Sequence, residues 1–306
     1  MSRRLATYKA GPKRRSFIKK VLLGLVMLVI FSVFPLIYFG LLRSRDGSER
    51  KQIRHLFESG AFEEAYSQSK ELLNEKPLDS FFLTMHGFSA YQLAIAQINT
   101  SDTLFYVDEC IWSLRKTLLS GDSSDGRVFY VLGKAYFNKG REYADLAVKY
   151  LEKAQETYHA GDIHEYLGLA YASIRDFRGS VTAFSEALTE EPSDLLLLSI
   201  ARSYIALEED EPAKAYLHRC LDISVDSGTI AAAHTLLGNI YAKTGDFSGA
   251  EAEYLKAIEE NGESAEVRYQ LGELYALGGD TTRARAEWRR ALRVDPTYGP
   301  ARNRLN

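Results

Sequence analysis

The sequence is poor in residues that do chemistry. Its two cysteines, Cys110 and Cys220, are too few and too far apart for a disulfide framework or a zinc cluster, and they read as small buried apolar residues. Histidine occurs six times. His159 and His164 are separated by a Gly-Asp turn, a spacing that serves no shared helical face for a metal, while His55, His86, His218 and His234 are isolated; all six are expected at the surface or in a groove. There is no Gly-rich phosphate loop closing on Lys-Ser or Lys-Thr, no His-Glu-x-x-His, no Gly-x-Ser-x-Gly and no Cys-x-x-Cys. Acidic runs such as Glu190-Glu191 and Glu208-Glu209-Asp210 fall where helices end and read as capping charge. No enzyme, cofactor or metal site is expected. Seven prolines and 22 glycines in 306 residues exclude a collagen-like or low-complexity chain, and 46% hydrophobic with 26% charged residues excludes disorder.

Acidic charge is missing from the first 42 residues, which hold eight Lys or Arg; the rest sets thirty basic against 41 acidic side chains, a net of −11. A body of that sign excludes a general nucleic-acid binder. Residues 21–42, VLLGLVMLVIFSVFPLIYFGLL, carry no charge and are long enough to cross a hydrocarbon core of about 30 Å. Basic residues at 1–20 outnumber Arg43, Arg45, Arg50, Lys51 and Arg54 beyond the run, so the positive-inside rule places the N-terminus in the cytoplasm and the rest across the membrane. In a bacterium that is a single-pass inner-membrane protein with a periplasmic body. The run ends in Leu-Leu-Arg-Ser-Arg without a small-residue cleavage site, which favours an anchor over a cleaved signal. Lys13-Arg14-Arg15-Ser16-Phe17-Ile18-Lys19 also has the look of a twin-arginine export signal.

The body repeats. Leu132-Gly133, Leu167-Gly168, Leu237-Gly238 and Leu271-Gly272 recur at multiples of about 34 residues, with Ile200-Ala201 filling the double gap. An aromatic follows each pair (Tyr136, Tyr171, Tyr204, Tyr241, Tyr275), and a small residue sits in the next apolar segment (Ala154, Ala187, Cys220, Ala257, Ala291). With Gly279-Asp280, Ala284, Trp288 and Pro296 at matching spacings in the last unit, the chain resembles the tetratricopeptide repeat (TPR) family, whose unit is a pair of antiparallel helices. The chain divides into a basic tip at 1–20, the span at 21–42, two degenerate units at 46–125 of which the second carries an insertion, five units at 126–298, and a short cap at 299–306.

The resemblance implies an all-α, right-handed superhelical solenoid, here preceded by a single transmembrane helix, whose concave wall comes from the first helix of each pair. On that register the wall holds Phe81, Phe88 and Tyr91, then Arg127, Tyr130, Lys134 and Phe137, then Leu169, Leu198, Arg202 and Tyr269. The membrane-near part is aromatic and basic, with Arg127, Lys134 and Arg202 reversing the body's sign. Such a surface suits a protein or peptide ligand. A competing arrangement packs Phe81, Phe88 and Phe137 against the segment Leu104 to Leu119 and closes the groove. The expected function is a non-enzymatic, membrane-anchored TPR scaffold in a bacterial envelope assembly. The alternative is a self-assembling component that pairs through its thinly capped C-terminal edge.

Overall fold

A computed structural model describes residues 45–120, 125–261 and 264–306. The basic tip at 1–20 and the predicted span at 21–42 lie outside the described residues. Among the described residues no helix is long and apolar enough to cross a membrane.

Every regular element described is helical. A first helix covers 45–58 (α1). It is followed by α2 (Phe62–Glu75), α3 (Ser80–Ala96), α4 (Thr100–Leu119), α5 (Gly126–Lys139), α6 (Ala144–Gln155), α7 (Ile163–Ser173), α8 (Phe177–Glu190), α9 (Asp194–Ala206), α10 (Asp210–Ile223), α11 (Ser227–Thr244), α12 (Phe247–Glu260), α13 (Ala265–Leu277), α14 (Thr281–Val294) and α15 (Gly299–Leu305). From α3 to α14 each odd-numbered helix packs most closely on the helix that follows it. First helices of neighbouring pairs also touch, α3 with α5, α5 with α7 and α9 with α11, so the odd-numbered helices form the shorter, concave side of an all-α solenoid.

The recurring glycines explain the close pairing. A Cβ added to Gly168, Gly238 or Gly272 would fall 2.5–2.6 Å from the ring of Phe184, Tyr254 or Trp288 on the second helix of the same pair. At Gly87 and Gly133 the obstacle is Leu114 or Leu151. Each glycine is a socket, and the large side chain seated in it fixes the helix crossing. In α9–α10 Ala201 replaces the glycine and Leu217 the aromatic, and both are fully buried. The small residues Ala154, Ala187, Cys220, Ala257 and Ala291 are buried as well; burial pushes the Cys220 thiol up to about 11.

Aspartates start the second helices. Asp176, Asp246 and Asp280 each accept a backbone N–H three residues on, at 2.9 Å, satisfying one of the open donors of the first turn. The residue before each cap is left-handed: Gly245 and Gly279 have φ near +82°, but Arg175 (φ 64°) and Glu208 (φ 62°) occupy the same place in their turns. The irregular stretches are absorbed without breaking the stack. Residues around Glu142 and Tyr143 form a 3₁₀ turn, Arg141–Tyr143, α11 is extended to 18 residues, and the insertion after residue 80 lengthens α3 to 17 and α4 to 20 residues.

Polar ties one repeat long join neighbouring units. Arg50 with Asp79, Lys134 with Asp162, Arg178 with Glu209, Lys243 with Asp210 and Arg283 with Glu251 are all 28 to 33 residues apart. At the C-terminus α15 closes the last apolar face: Ala301 is fully buried beside Trp288 and Ala291, Tyr298 meets the ring of Tyr269 at 5.8 Å, and Arg304 pairs with Glu273.

Candidate protein-binding groove

The wall lays its aromatic side chains into a cleft of about 790 Å³ at the N-terminal end, between α1, α3 and α5. Helical spacing puts them there: Phe81, Thr84, Phe88 and Tyr91 are one face of α3, and Arg127, Tyr130 and Val131 one face of α5. Phe88 leans on Phe57 of α1 with ring centres 6.3 Å apart, and Tyr130 meets Tyr158 at 5.4 Å. Arg50 and Arg54 stand over the ring of Phe81 at 5.1 and 5.6 Å, a cation–π arrangement that pins the ring at the rim. The cleft is thus apolar and aromatic on its floor and charged along its edge.

The charges differ from those expected. Arg127 donates from Nε and Nη2 to Asp125, the residue that caps its own helix, at 3.0 and 2.7 Å. Lys134 lies outside the cleft, its side chain only 12% exposed. Its Nζ donates to Asp162 at 2.7 Å and to the Tyr130 hydroxyl at 2.9 Å, and it sits 4.3 Å from the ring centre of Tyr166. The Tyr130 hydroxyl in turn donates to Asp162 at 2.5 Å, and burial together with that carboxylate raises the phenol's pKa. Lys134 is a tie between units rather than a hand offered to a ligand. The cation left without an ion pair among the described lining residues is Arg54, a residue absent from the predicted wall.

The remaining predicted residues are dispersed. Phe137 and Leu169 border a second, shallower cleft of about 490 Å³ with Arg141 and Ala172, and Phe137 packs edge-on against Tyr166 at 5.6 Å. Leu198 is 4% exposed and belongs to the core of α9 to α11. Arg202 is exposed, and Tyr269 is engaged by the cap. The groove is not closed at Phe81 and Phe88, which line the open cleft, although Phe88 and Phe137 also rest on the core cluster to which α4 gives Val107, Cys110, Ile111 and Leu114.

The predicted wall missed Arg50, Arg54 and Phe57, because α1 has no Leu-Gly landmark to set its register; their spacing of four and three residues was the available signal. It also took His86 for a surface or groove residue. His86 is 1% exposed, stacked on Tyr66 at 4.3 Å, with Nε2 3.3 Å from Glu109 and Nδ1 near Ser69 Oγ and the Tyr66 carbonyl. Burial lowers the imidazole's pKa against the pull of Glu109. This cluster binds α2, α3 and α4 together. Among the described residues no group of three or more His, Cys, Asp or Glu is placed to hold a metal ion.

Residues 235–299, covering α12 to α14, match the family model of the tetratricopeptide repeat. The described fold is that of TPR solenoids. The C-terminal part of a TPR repeat-containing protein from Cytophaga hutchinsonii superposes with a TM-score of 0.60 at 17% identity, over 84% of this chain and 99% of that one. MamA (41-end) from Desulfovibrio magneticus RS-1 follows at 0.51 and 16%, over 58% and 98%. The Naa15/Naa10 structure bound to HypK-THB gives 0.51 and 16%, over 85% of this chain and 38% of that one. At these identities the likeness is one of fold. No curated protein matches the sequence.

Proposed function

We propose that this chain is a non-enzymatic TPR scaffold, anchored in a bacterial inner membrane by residues 21–42 with its N-terminus cytoplasmic and its array periplasmic, that holds a segment of another protein in the α1–α3–α5 cleft as part of an envelope assembly. The observation that carries the reading is the cleft itself. A pre-formed trough of about 790 Å³ with Phe57, Phe88 and Tyr91 on its floor and Phe81 at its rim offers the aromatic anchors on which peptide recognition concentrates its energy. Arg54 at the rim adds an unpaired charge for a carboxylate on the ligand. The charge asymmetry around the 21–42 run supports the topology. One similar solved structure is itself a complex.

A photo-cross-linking amino acid at Phe88 of the full chain in native membranes should trap one predominant protein, and Phe81→Ala with Arg54→Glu should remove that adduct. The same residue at Arg178, on the second helix of another pair, should not trap it. Equal adducts from Phe88 and Arg178, or an adduct that survives the double substitution, would take the cleft out of the reading. A periplasm-dependent reporter fused after Asn306 should be active; activity of a cytoplasm-dependent one would reverse the topology.

A further inference from the structure

The second helix of the lengthened pair, α4, carries on its outer face a row of side chains that neither the core nor the cleft uses. Phe105, Trp112 and Leu119 are 52%, 50% and 85% exposed. At seven-residue intervals they form one stripe, since seven residues make nearly two helical turns. A helix of a soluble domain turns such a stripe inward, and an exposed one edged by charge marks a contact surface.

The charges around it are ordered. Asp108 and Glu109 precede Trp112, and Arg115 and Lys116 follow it. Counting outward from Trp112, Phe105 has Leu119 as its counterpart, Asp108 has Lys116 and Glu109 has Arg115; all lie within about 60° of Trp112 around the helix axis. Turned end for end, this face is complementary to itself, apolar on apolar and acid on base.

We propose that α4 is the contact of a twofold homodimer, in which two copies cross antiparallel at Trp112, Phe105 of one copy lying on Leu119 of its partner and the acids of each facing the bases of the other. Twofold contacts have this form, residue i on j and j on i, and a tryptophan at the centre is the residue type on which interface energy gathers. Of the bases, Lys116 rests over the Trp112 ring at 3.7 Å and Arg115 is hydrogen-bonded to the Tyr136 hydroxyl; neither has an ion pair among the described residues. The acids are partly occupied, Asp108 by Lys139 at 2.7 Å and Glu109 by the Tyr66 hydroxyl at 3.0 Å, His86 Nε2 at 3.3 Å and Lys70 Nζ at 3.6 Å, so Asp108 and Lys116 carry the charge pairing across the twofold. A parallel pairing would set like charges against each other. The helix dipole alone favours acids before bases, but it gives no reason for three large apolar residues in water on the same face. The other face considered for self-association, the C-terminal edge, is covered by α15.

The test uses full-length chains with introduced cysteines; the native Cys110 and Cys220 are buried and silent. Mild oxidation of mixed Phe105→Cys and Leu119→Cys chains should give a disulfide-linked dimer, while Leu119→Cys alone should give none, because the two Leu119 sites would lie about 20 Å apart. Asp108→Lys alone should lower the mixed cross-link tenfold or more, and Asp108→Lys with Lys116→Asp should restore it. The Asp108–Lys139 pair stays broken in that double variant, so recovery must come from the partner copy. Self-linking of Leu119→Cys, an undiminished cross-link in Asp108→Lys, no recovery in the double variant, or no product from folded mixed chains would each overturn the proposal.

Discussion

In α11–α12 and α13–α14 the first-helix glycine receives an aromatic, Tyr254 or Trp288, from the second helix; in α3–α4 and α5–α6 it receives a leucine. The C-terminal pairs spend their large rings on holding themselves together, and they are the part that matches the family model. The N-terminal pairs close with smaller side chains and place aromatics elsewhere: Phe57, Phe81 and Phe88 around the cleft, Phe105 and Trp112 on the outside of α4. Where a repeat departs from its pattern, the residues released from packing have become surface.

The comparison can be broken most directly at Tyr254. Tyr254→Ala empties the Gly238 socket and should cost about 3–5 kcal/mol, whereas Phe81→Ala, on a partly exposed ring, should cost less than about 1 kcal/mol; equal losses in denaturant unfolding would erase the distinction. The sockets themselves offer a finer test. Gly272→Ala and Gly87→Ala each force a contact near 2.5 Å, and such overpacking costs about 1–3 kcal/mol. At Gly272 the added Cβ meets a rigid indole and also lies 3.2 Å from the Ala284 backbone carbonyl, whereas at Gly87 it meets the flexible end of Leu114 and lies 3.4 Å from the Cys110 carbonyl, so Gly272→Ala should show the larger fall in melting temperature.

Smaller effects come from the turns. Arg175→Gly and Glu208→Gly relieve left-handed backbone that glycine adopts freely and should each stabilise the chain by about 1 kcal/mol, measured by the same melts; no gain at either would mean that the turn is not strained. The smallest is a pH effect at the seam between α5 and α7. Burial pushes the Asp162 carboxyl up, but hydrogen bonds from Lys134 and Tyr130 outweigh it and leave its pKa below the ordinary value. Its contribution is therefore complete above the unfolded aspartate value near 4 and is lost as pH falls through the lower folded value. The gap in melting temperature between the native chain and Asp162→Asn should narrow below about pH 4; a gap that stays constant would place the titration elsewhere.

Much of the fold was legible in the sequence because its signals are local and periodic: a missing Cβ, a ring about sixteen residues on, an Asp after a left-handed turn. The cleft was half legible. Phe81, Phe88, Tyr91, Arg127 and Tyr130 share it because a helix face follows from spacing alone. Whether a charge is free does not, and Lys134 loses its availability to Asp162, which lies 28 residues away across a unit boundary. Leu198 was misjudged for a similar reason, since a wall position becomes core wherever the next first helix comes close, as α11 does to α9. His86 occupies a landmark position, but its burial depends on Tyr66 and Glu109, which come from two other helices.

The polar ties between neighbouring units all span about one repeat, from Arg50–Asp79 at one end to Arg283–Glu251 near the other. They join units and do not hold any unit together, so loosening them alters the pitch of the coil and leaves each hairpin intact. Several involve exposed side chains, such as Arg178–Glu209 and Lys243–Asp210, which dissolved ions screen over about 8–10 Å at ordinary ionic strength. Raising the ionic strength should therefore weaken these joints between units and leave the apolar interior of each hairpin untouched.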